Sequence, residues 1–445
     1  MYSRVVIAAT GSGAGKTTIT CGILRALKAE GKSVCSFKCG PDYIDPMFHR
    51  NVLGVASGNL DTFFTEEEVT RALFMREFTG ELAVIEGVMG LYDGVGGTQL
   101  VGSTYDLART LKAPIVLVVN GRGMGRSILA EIKGFLDYDT DGLIQGVILN
   151  KVSKSFAASL KSLIEEELHI KVVGSVENNA SLTLTSRHLG LVMPNEIDEI
   201  KEKLELAKQA VTDGIDLDAF VEIAGNAASL SSDYVFEDIV KTKGLKLAIA
   251  RDEAFCFYYK ENIEMLESSG VEIEYFSPLH DEHLPKGISG ILLGGGYPEN
   301  FLKELSDNES MRAEIKAALE SKMPILAECG GFMYLMDSIK DKDGNAFDMV
   351  GAIPGTCEWQ GKLVRFGYVT IEKDSGEPIK GHEFHYYDTD NNGEDLIITK
   401  PSTGKSIRGM HAKDGSYIGY PHLYYPSSPA FVKDFVEVMK SYGRD

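Results

Sequence analysis

Short apolar runs alternate with longer stretches of helical periodicity over the first 180 residues. The runs are rich in Val and Ile, as buried strands are, and they lie at residues 4–10, 34–39, 82–88, 114–120, 145–152 and 171–176. Between them, segments such as "TTITCGILRALKAEG" repeat apolar residues every three or four positions, which predicts amphipathic helices. This alternation favours a parallel sheet covered by helices on both faces.

The alternation pauses and then resumes in the second half of the chain. Residues 196–244 are acidic and helical in pattern, and we interpret them as the last helices of a first domain running into a helical connector. New strand-like runs then lie at residues 245–251, 271–276, 290–296 and 324–329. From about residue 350, short runs such as "RFGYVTIE" predict antiparallel strands at the edge of a second domain. The predicted division is therefore two α/β domains, at 1–195 and 245–445, joined by the connector at 196–244.

Composition and net charge indicate which kinds of binding partner to expect and in which cell compartment the protein works. Of the 445 residues 44% are hydrophobic and 25% are charged, which is ordinary for a globular protein, and the formal net charge is −20. No basic cluster offsets this charge, so we expect neither nucleic acid nor an anionic membrane as a partner. The N-terminus runs directly into a strand, and no apolar run approaches 18 residues, so we expect no secretion signal and no membrane span. The six cysteines do not suggest a disulfide framework in a chain of this length, and we expect a cytoplasmic protein.

A glycine-rich turn follows the first predicted strand, in "VVIAATGSGAGKTT". The common phosphate-loop pattern is G-x-x-x-x-G-K-[ST]; here Thr10 stands at the first glycine position and Gly11 follows it. Backbone N–H groups of such a turn, together with the helix N-terminus, bind phosphate oxygens. Lys16 is then expected to reach the outer phosphates, and the Thr17 hydroxyl to bind Mg²⁺. We assign nucleotide binding to Thr10, Gly11, Gly13, Gly15, Lys16, Thr17 and Thr18.

Four acidic residues follow predicted strands on the same edge of the first sheet. Asp42 and Asp45 come after the second strand, in "CGPDYIDPMFH", while Glu86 and Asp93 come at and after the third, in "VIEGVMGLYDG". The carboxyl ends of parallel strands meet at one edge, and Mg²⁺ prefers oxygen ligands. We therefore predict a metal site formed by Asp42, Asp45, Glu86 and Thr17, with Asp93 contacting substrate.

The strand "VILNKV" ends at Asn150 and Lys151. Guanine-reading GTPases continue Asn-Lys with an Asp after one residue, and here Ser153 occupies that position. This weakens a guanine reading, so we expect Asn150 to contact an adenine and the nucleotide to be ATP.

A second candidate centre lies in "PILAECGGFMYLM". A strand that runs into Cys329 and then into glycines has the shape of a nucleophile elbow, although a buried structural thiol is the alternative. The preceding loop "GILLGGGYPEN" could donate to an oxyanion from Gly295 or Gly296. A thiol needs a base at neutral pH, and spacing alone does not choose among His382, His385, His411 and His422.

Seven segments together resemble the cobyrinic acid a,c-diamide synthase family, which contains glutamine- and ATP-dependent amidases of corrinoid synthesis. The segments are "GPDYIDPMFH", "NLDTFF", "VIEGVMGLYDG", "RHLGL", "GGGYPE", "AECGGFMYL" and "GHEFHYY". The resemblance runs from the N-terminus to about residue 425. It implies an N-terminal phosphate-loop domain similar to dethiobiotin synthetase and a C-terminal domain similar to class I glutamine amidotransferases.

The resemblance also implies roles for individual residues. Cys329 would be the nucleophile and His422, in "GSYIGYPHLYYPSSP", its base. Tyr424 stands where an orienting acid is common in class I glutaminases, which leaves that partner unknown and Glu328 without a role. The substrates would be glutamine and a tetrapyrrole polycarboxylate, cobyrinic acid, with ATP and Mg²⁺ required. Because the net charge of −20 is unfavourable for a polyanionic substrate, we expect a local basic patch with Arg187, His188 and Lys38 as its candidates, and we expect the segment "GHEFHYY", with His382 and His385, to face the substrate.

Three alternatives stay open at this point. A nickel-sirohydrochlorin a,c-diamide synthase shares these motifs, and a cobyric acid synthase fits less well because it is expected to lack the "GPDYIDPMFH" form. A nucleotide switch of the partitioning-ATPase type would explain the first 120 residues but would leave Cys329 unused. The sequence does not decide the oligomeric state, and a homodimer is left open.

Overall fold

The computed structural model describes residues 2–182, 197–236, 244–373 and 377–442. These residues form two compact units, Met1–Val235 and Phe236–Asp445. In the described part of the chain, no helix combines the length and the apolar character that crossing a bilayer requires.

The first unit is built on a sheet of seven parallel strands. They are β1 Ser3–Ala9, β2 Val34–Cys39, β3 Ser57–Leu60, β4 Leu82–Glu86, β5 Ile115–Asn120, β6 Ile144–Asn150 and β7 Lys171–Val176. Their order across the sheet is β3-β2-β4-β1-β5-β6-β7. Strands β2 to β4 lie on one side of β1, and β5 to β7 lie on the other. The order in which strands are added therefore reverses at β1, and ligands of such sheets bind at this switch point.

Helices cover both faces of this sheet, as the alternating pattern predicts. They are α1 Lys16–Ala29, α2 Ile44–Phe48, α3 Glu67–Glu77, α4 Thr104–Thr110, α5 Ile128–Tyr138, α6 Lys154–Leu168, α7 Ile197–Gly214 and α8 Leu217–Gly225. Neighbouring strand residues point to opposite faces, so Val5 lies in the core beneath α1 and Val6 in the core on the other side.

Helix α7 packs against α1 within the first unit. Leu204, Ala207 and Val211 belong to the same apolar core as α1. The two helices approach closely because Gly22 has no side chain: a Cβ there would lie 2.8 Å from the Ala207 carbonyl oxygen. The acidic helical stretch after residue 196 thus completes the first unit's core, while the exact domain limits drawn from the sequence stay a prediction.

The second unit is built on a parallel sheet that carries antiparallel additions. Its strands are β8 Lys246–Ala250, β9 Phe255–Phe257, β10 Glu272–Phe276, β11 Gly290–Leu293, β12 Gly295–Gly296, β13 Ile325–Glu328, β14 Met336–Lys340, β15 Ala346–Asp348, β16 Ile353–Trp359, β17 Arg365–Glu372, β18 Ile379–His385, β19 Tyr387–Asp388, β20 Leu396–Lys400, β21 Lys405–Gly409, β22 Tyr417–Gly419 and β23 His422–Leu423. Its helices are α9 Lys260–Ser268, α10 Leu302–Asp307, α11 Glu309–Glu320, α12 Gly330–Leu335 and α13 Pro429–Tyr442.

Two sheets of the second unit position its candidate site. The parallel sheet has the order β10-β8-β11-β13-β22, and β13 ends directly before Cys329. The antiparallel sheet has the order β21-β20-β17-β18-β23 and carries His422 on its edge strand. The strand predicted at "RFGYVTIE" is β17.

Candidate active sites

The phosphate loop connects β1 to α1 at the switch point of the first sheet. Gly13 and Gly15 have φ of 75° and 98°, a backbone region that glycine adopts most readily. A Cβ at Gly15 would also overlap the side-chain nitrogen of Asn150, so the loop needs glycine here for space as well as for conformation. The loop therefore has the local structure that the sequence predicts.

Asn150 lies beneath this loop and is almost fully buried. Its Nδ2 donates to the Ala14 carbonyl at 2.6 Å, and its Oδ1 accepts the backbone N–H of Lys151 at 2.9 Å. The side chain thus ties the end of β6 to the phosphate loop. Its predicted contact with adenine stays a prediction.

Lys16, the first residue of α1, has a buried ammonium group that donates to the carbonyl of Met89. Met89 has a φ of 50°, which is uncommon for a residue with a side chain. Burial, and then the nearby Lys38 ammonium, lower the pKa of Lys16 to about 8. A phosphate at the loop would supply the negative charge that stabilises the protonated form.

A buried network of charged residues adjoins the loop. The Thr17 hydroxyl donates to Glu86 Oε1 at 2.6 Å. Lys38 Nζ lies 2.8 Å from the same oxygen and 2.6 Å from Asp45 Oδ2. His49 joins from the π-helical turn after α2: its Nδ1 lies 3.0 Å from the Ser36 hydroxyl, and its Nε2 lies 3.8 Å from Glu86 Oε2. The Lys38 ammonium therefore stands between two carboxylates that the sequence assigned to a metal.

Burial and Lys38 together set the protonation of this network. Burial raises the pKa of Glu86 to about 7 and, with the neighbouring Asp45 carboxylate, raises that of Asp42 to about 6. Burial opposes ionisation of Asp45 too, but the Lys38 ammonium outweighs it and holds the pKa of Asp45 below its usual value. Burial would lower the pKa of Lys38, yet Asp45 and Glu86 raise it well above the usual value.

Mg²⁺ fits only part of the predicted ligand set. Within the described ranges, no three His, Cys, Asp or Glu residues are grouped as a metal site. An ion bound together with nucleotide phosphates needs only one or two protein ligands, and Glu86 Oε2 is buried and makes no hydrogen bond with any described residue. Thr17 and Glu86 therefore fit such an ion. Asp42 Oδ1 accepts the N–H of Ile44, the first residue of α2, at 2.8 Å. Metal roles for Asp42 and Asp45 stay predictions.

Three residues of this unit were expected to contact substrate: Asp93, Arg187 and His188. Asp93 Oδ2 accepts the N–H of Gly90 at 3.0 Å, which fixes the loop whose Met89 carbonyl meets Lys16. Its contact with substrate stays a prediction. Arg187 and His188 lie outside the described residues.

Cys329 occupies a strained turn between β13 and α12. Its φ of 49° and ψ of −103° are unusual for a residue with a side chain, as expected at a nucleophile elbow. Its N–H donates to the Gly419 carbonyl at 2.8 Å. A Cβ at Gly330 would lie 2.9 Å from Pro298 Cδ and 3.2 Å from the Gly296 nitrogen, so the glycine allows the turn to pack against the loop after β11.

The same glycine loop, residues 294–296, contacts His422. A Cβ at Gly295 would overlap Cε1 of the His422 ring. The Tyr258 hydroxyl accepts the N–H of Gly294 at 2.9 Å and holds the loop in place. Cys329 and His422 are thus brought to one loop from different sheets, and the Gly296 N–H lies beside the elbow. Roles of Gly295 and Gly296 in binding an oxyanion stay predictions.

Two further histidines adjoin His422. His382 pairs with it across β18 and β23, and the Tyr259 hydroxyl lies 3.1 Å from His382 Nδ1. His385 stacks on Tyr420 with ring centroids 3.8 Å apart. His411 instead pairs its backbone with Ile418. The predicted contacts of His382 and His385 with a tetrapyrrole stay predictions.

The pKa values of Cys329 and His422 are both shifted from the usual values of these side chains. Burial, followed by the Glu299 carboxylate, raises the pKa of the Cys329 thiol above its usual value. Burial, followed by His382 and His385, lowers the pKa of His422 well below its usual value. Both shifts favour the neutral forms of the two side chains.

Two contacts of these sites were not predicted from the sequence: that of Lys38, which was named only as a candidate for the tetrapyrrole, with Glu86, and that of Glu328 with His422. The central place of Lys38 in the first network depends on pairing of β2 with β4, which aligns Lys38 with Glu86. In the second unit, Glu328 Oε2 lies 3.8 Å from His422 Nδ1. The position of Glu328 directly before Cys329 is the one sequence feature that pointed to a role in the site. Its proximity to His422, 94 residues later, could not be predicted from the spacing of residues.

Comparison with known proteins agrees with this two-unit arrangement. Residues 5–192 match the model of the "CobQ/CobB/MinD/ParA nucleotide binding domain", and residues 246–429 match that of the "CobB/CobQ-like glutamine amidotransferase domain". Proteins named cobyrinate a,c-diamide synthase are similar over nearly their whole length. That of Listeria innocua serovar 6a is 39% identical, with 97% of this chain and 98% of the relative covered.

Two other relatives carry the same name. The protein of Caldanaerobacter subterraneus subsp. tengcongensis is 40% identical, covering 99% of both chains. That of Clostridium acetobutylicum is 41% identical, covering 97% of this chain and 99% of the relative. These matches confirm the resemblance and the fold class inferred from the sequence. The chain belongs to the cobyrinate a,c-diamide synthase family, with a nucleotide-binding first unit and a glutamine amidotransferase second unit.

Proposed function

We propose that this chain uses ATP and glutamine to convert the a- and c-acetate carboxylates of cobyrinic acid to amides. One observation carries the proposal: a single chain holds a phosphate loop with a buried lysine and, in its other unit, a strained cysteine that shares a glycine loop with a buried histidine. The names of the full-length relatives supply the substrate.

The second unit is the glutaminase. His422 takes the proton of the Cys329 thiol, and the thiolate attacks the side-chain amide carbon of glutamine. The N–H of Gly330, directly after the cysteine, and that of Gly296 bind the oxyanion. His422 then returns the proton to the leaving nitrogen, which departs as ammonia. Water, deprotonated by His422, cleaves the remaining thioester to give glutamate and the free thiol.

The first unit activates the carboxylate, because a carboxylate resists attack by an amine. Transfer of the terminal phosphoryl group of ATP to the acetate gives an acyl phosphate and ADP. Ammonia attacks the acyl carbon, and phosphate leaves as the amide forms. Lys16 exchanges the Met89 carbonyl for phosphate oxygens and offsets the charge of the transferred group. Thr17 and Glu86 would hold Mg²⁺, which neutralises phosphate charge when bound.

Two variants test this division of labour. Cys329→Ser is expected to abolish glutamine-dependent amidation of cobyrinic acid and to spare amidation fed by ammonium chloride. Cys357→Ser, which alters another buried thiol of the same unit, is the control and should keep both activities. Lys16→Ala should stop both routes. Failure of ammonia to rescue Cys329→Ser, or ammonia-fed turnover by Lys16→Ala, would overturn the proposal.

The substrate is decided by a direct comparison. Cobyrinic acid and nickel-sirohydrochlorin are assayed side by side with ATP, glutamine and Mg²⁺. Amide formation on cobyrinic acid supports the proposal, and amide formation on the nickel compound alone would move the chain to that alternative. Absence of any glutaminase activity, with or without substrate and ATP, would instead favour a nucleotide switch.

A further inference from the structure

The carboxyl group of Glu328 lies beside the proposed base of the glutaminase. Glu328 Oε2 is 3.8 Å from His422 Nδ1. The backbone N–H of Leu423, the residue after His422, also interacts with this carboxyl group. Glu328 therefore faces strand β23 from the end of β13, and it meets that strand at the base itself.

The carboxyl group of Glu328 is buried, and one of its oxygens has no hydrogen-bond partner among the described residues. Glu328 and His422 are 5% and 3% exposed, so water does not separate or screen them effectively. Glu328 Oε1 makes no hydrogen bond to any residue that the structure describes. A buried carboxyl group with an unsatisfied oxygen is unfavourable unless another contribution retains it.

We propose that Glu328 is the positioning residue of the glutaminase: its carboxylate accepts the Nδ1–H of His422 and so directs Nε2 toward the Cys329 thiol. This inference rests on the proposed function and adds a partner to its cysteine and histidine. A displacement of less than 1 Å brings 3.8 Å into hydrogen-bond range. The nucleophile and the group that orients its base would then be adjacent residues on the same turn.

The tautomer explains why a carboxylate is useful here. A neutral imidazole has one N–H, and it accepts the thiol proton at Nε2 only when that N–H is on Nδ1. A carboxylate facing Nδ1 selects this tautomer and stabilises the imidazolium that forms when the thiol gives up its proton. Tyr424, two residues after His422, has no carboxylate with which to do this.

Two other roles for Glu328 make different predictions. If it only held the elbow, its replacement would disturb the fold of the second unit. If it bound glutamine, its replacement would raise the KM for glutamine. A positioning role lowers kcat for glutamine hydrolysis while leaving KM and the ammonia-fed reaction unchanged.

The first test compares Glu328→Gln with Glu261→Gln, which makes the same change at another buried carboxyl group of the second unit. Glu328→Gln should lower kcat for glutamine hydrolysis by about 100-fold or more, with KM within about threefold. Ammonia-fed amidation should be unchanged, and Glu261→Gln should stay within about twofold of the wild type. Wild-type kcat in Glu328→Gln, or loss of its ammonia-fed activity, would overturn the inference.

A double-mutant cycle tests whether Glu328 acts through the ring. In a His422→Gln background, adding Glu328→Gln should change the residual hydrolysis rate by less than about twofold, because the group through which the carboxylate acts is gone. A further loss of about 100-fold would show an independent role and overturn the inference.

The pH profile provides a readout that a purely structural role would not change. The groups facing Glu328 are His422, Cys329, Tyr258 and Tyr425. Burial raises the pKa of Glu328 to about 8, so its ionised form accumulates as the pH rises toward that value. Wild-type glutamine hydrolysis should therefore contain a rising component centred near pH 8 that Glu328→Gln lacks. An identical component in the variant counts against the inference.

The wild-type protein itself offers a measurement that needs no foldable Glu328 variant. In protein labelled with ¹⁵N-histidine, the His422 ring signals are assigned by their loss in His422→Asn. Above pH 8 their shifts should show the proton on Nδ1, and a proton on Nε2 would overturn the inference. Failure of the proposed function is distinguishable, because the wild type would then hydrolyse no glutamine, or Cys329→Ser would hydrolyse it as fast as the wild type.

Discussion

His382 stacks on His422, with ring centroids 4.9 Å apart and planes inclined by 17°. The pairing of β18 with β23 places the two residues directly opposite each other. The base of the proposed glutaminase is therefore packed against a flat ring that is itself held by the Tyr259 hydroxyl. This packing restricts the orientation of His422 from the face of its ring.

Replacing His382 with Ala should lower glutamine hydrolysis at least about tenfold, because the cavity lets the His422 ring leave its working orientation. His382→Phe restores a ring for stacking and should stay within a few-fold of the wild type. Both variants are assayed for glutamine hydrolysis and for ammonia-fed amidation, which should not change. Equal losses in the two variants would point to a role that only an imidazole can fill.

Replacing Lys38 with Met should destabilise the first unit by roughly 3–5 kcal/mol, because Asp45 and Glu86 lose their buried counter-ion. The carboxyl pKa values then rise, so the native state holds more protons and the variant should recover stability as the pH falls from 8 to 6. Urea unfolding at both pH values measures this. Lys133→Met removes an exposed pair with Asp137 and should change stability by under about 1 kcal/mol at either pH.

Glu328 should make the ligand-free protein less stable as the pH rises. Burial raises its pKa from the usual value near 4.5 to about 8, so the folded state binds its proton more tightly than the unfolded state. The resulting stability is fully present below about pH 4.5 and is lost as the pH rises through about 8. Relative to Glu328→Gln, the wild type should lose a few kcal/mol between pH 5.5 and 9 in urea unfolding. Parallel stability curves would contradict this.

Asn150→Ala separates support of the loop from recognition of a base. Loss of the hydrogen bond to the Ala14 carbonyl should weaken ATP binding by about tenfold and leave glutamine hydrolysis intact. If Asn150 acts only through the loop, binding of ATP and GTP should weaken equally. A loss confined to ATP would establish the adenine contact instead. Calorimetric titration with both nucleotides gives the two affinities.

The predictable part of the fold was set by strong local patterns. Strands β1, β5 and β6 contain the buried apolar runs 5–9, 115–119 and 147–149, and they appear in the structure within two residues of their expected ends. Strand β3, "SGNL", has no such run and was not predicted. It lies at the sheet edge, where Asn59 Nδ2 donates to the carbonyls of Gly40 and Asp42. Its place in the sheet depends on pairing with β2 and on these contacts, which no local apolar pattern announces.

The candidate sites likewise contain residues that a local motif predicts and residues that only the assembled fold brings together. The glycine turn before Lys16 and the strand-to-glycine turn at Cys329 are local, so the sequence shows both. Lys38 and Glu328 carry no distinguishing motif of their own. Their roles arise because strand register brings Lys38 to Glu86, and because two separate sheets bring Glu328 to His422. Such contacts depend on the assembled fold.

The burial that raises the pKa of the Cys329 thiol also affects its sensitivity to oxidation. Peroxides and alkylating agents react with thiolates far faster than with thiols. Because burial raises the pKa of Cys329, its thiol reacts with such agents more slowly than a solvated cysteine does. In the proposed reaction the thiolate would form only when glutamine is bound, which would limit the time during which Cys329 is open to oxidation.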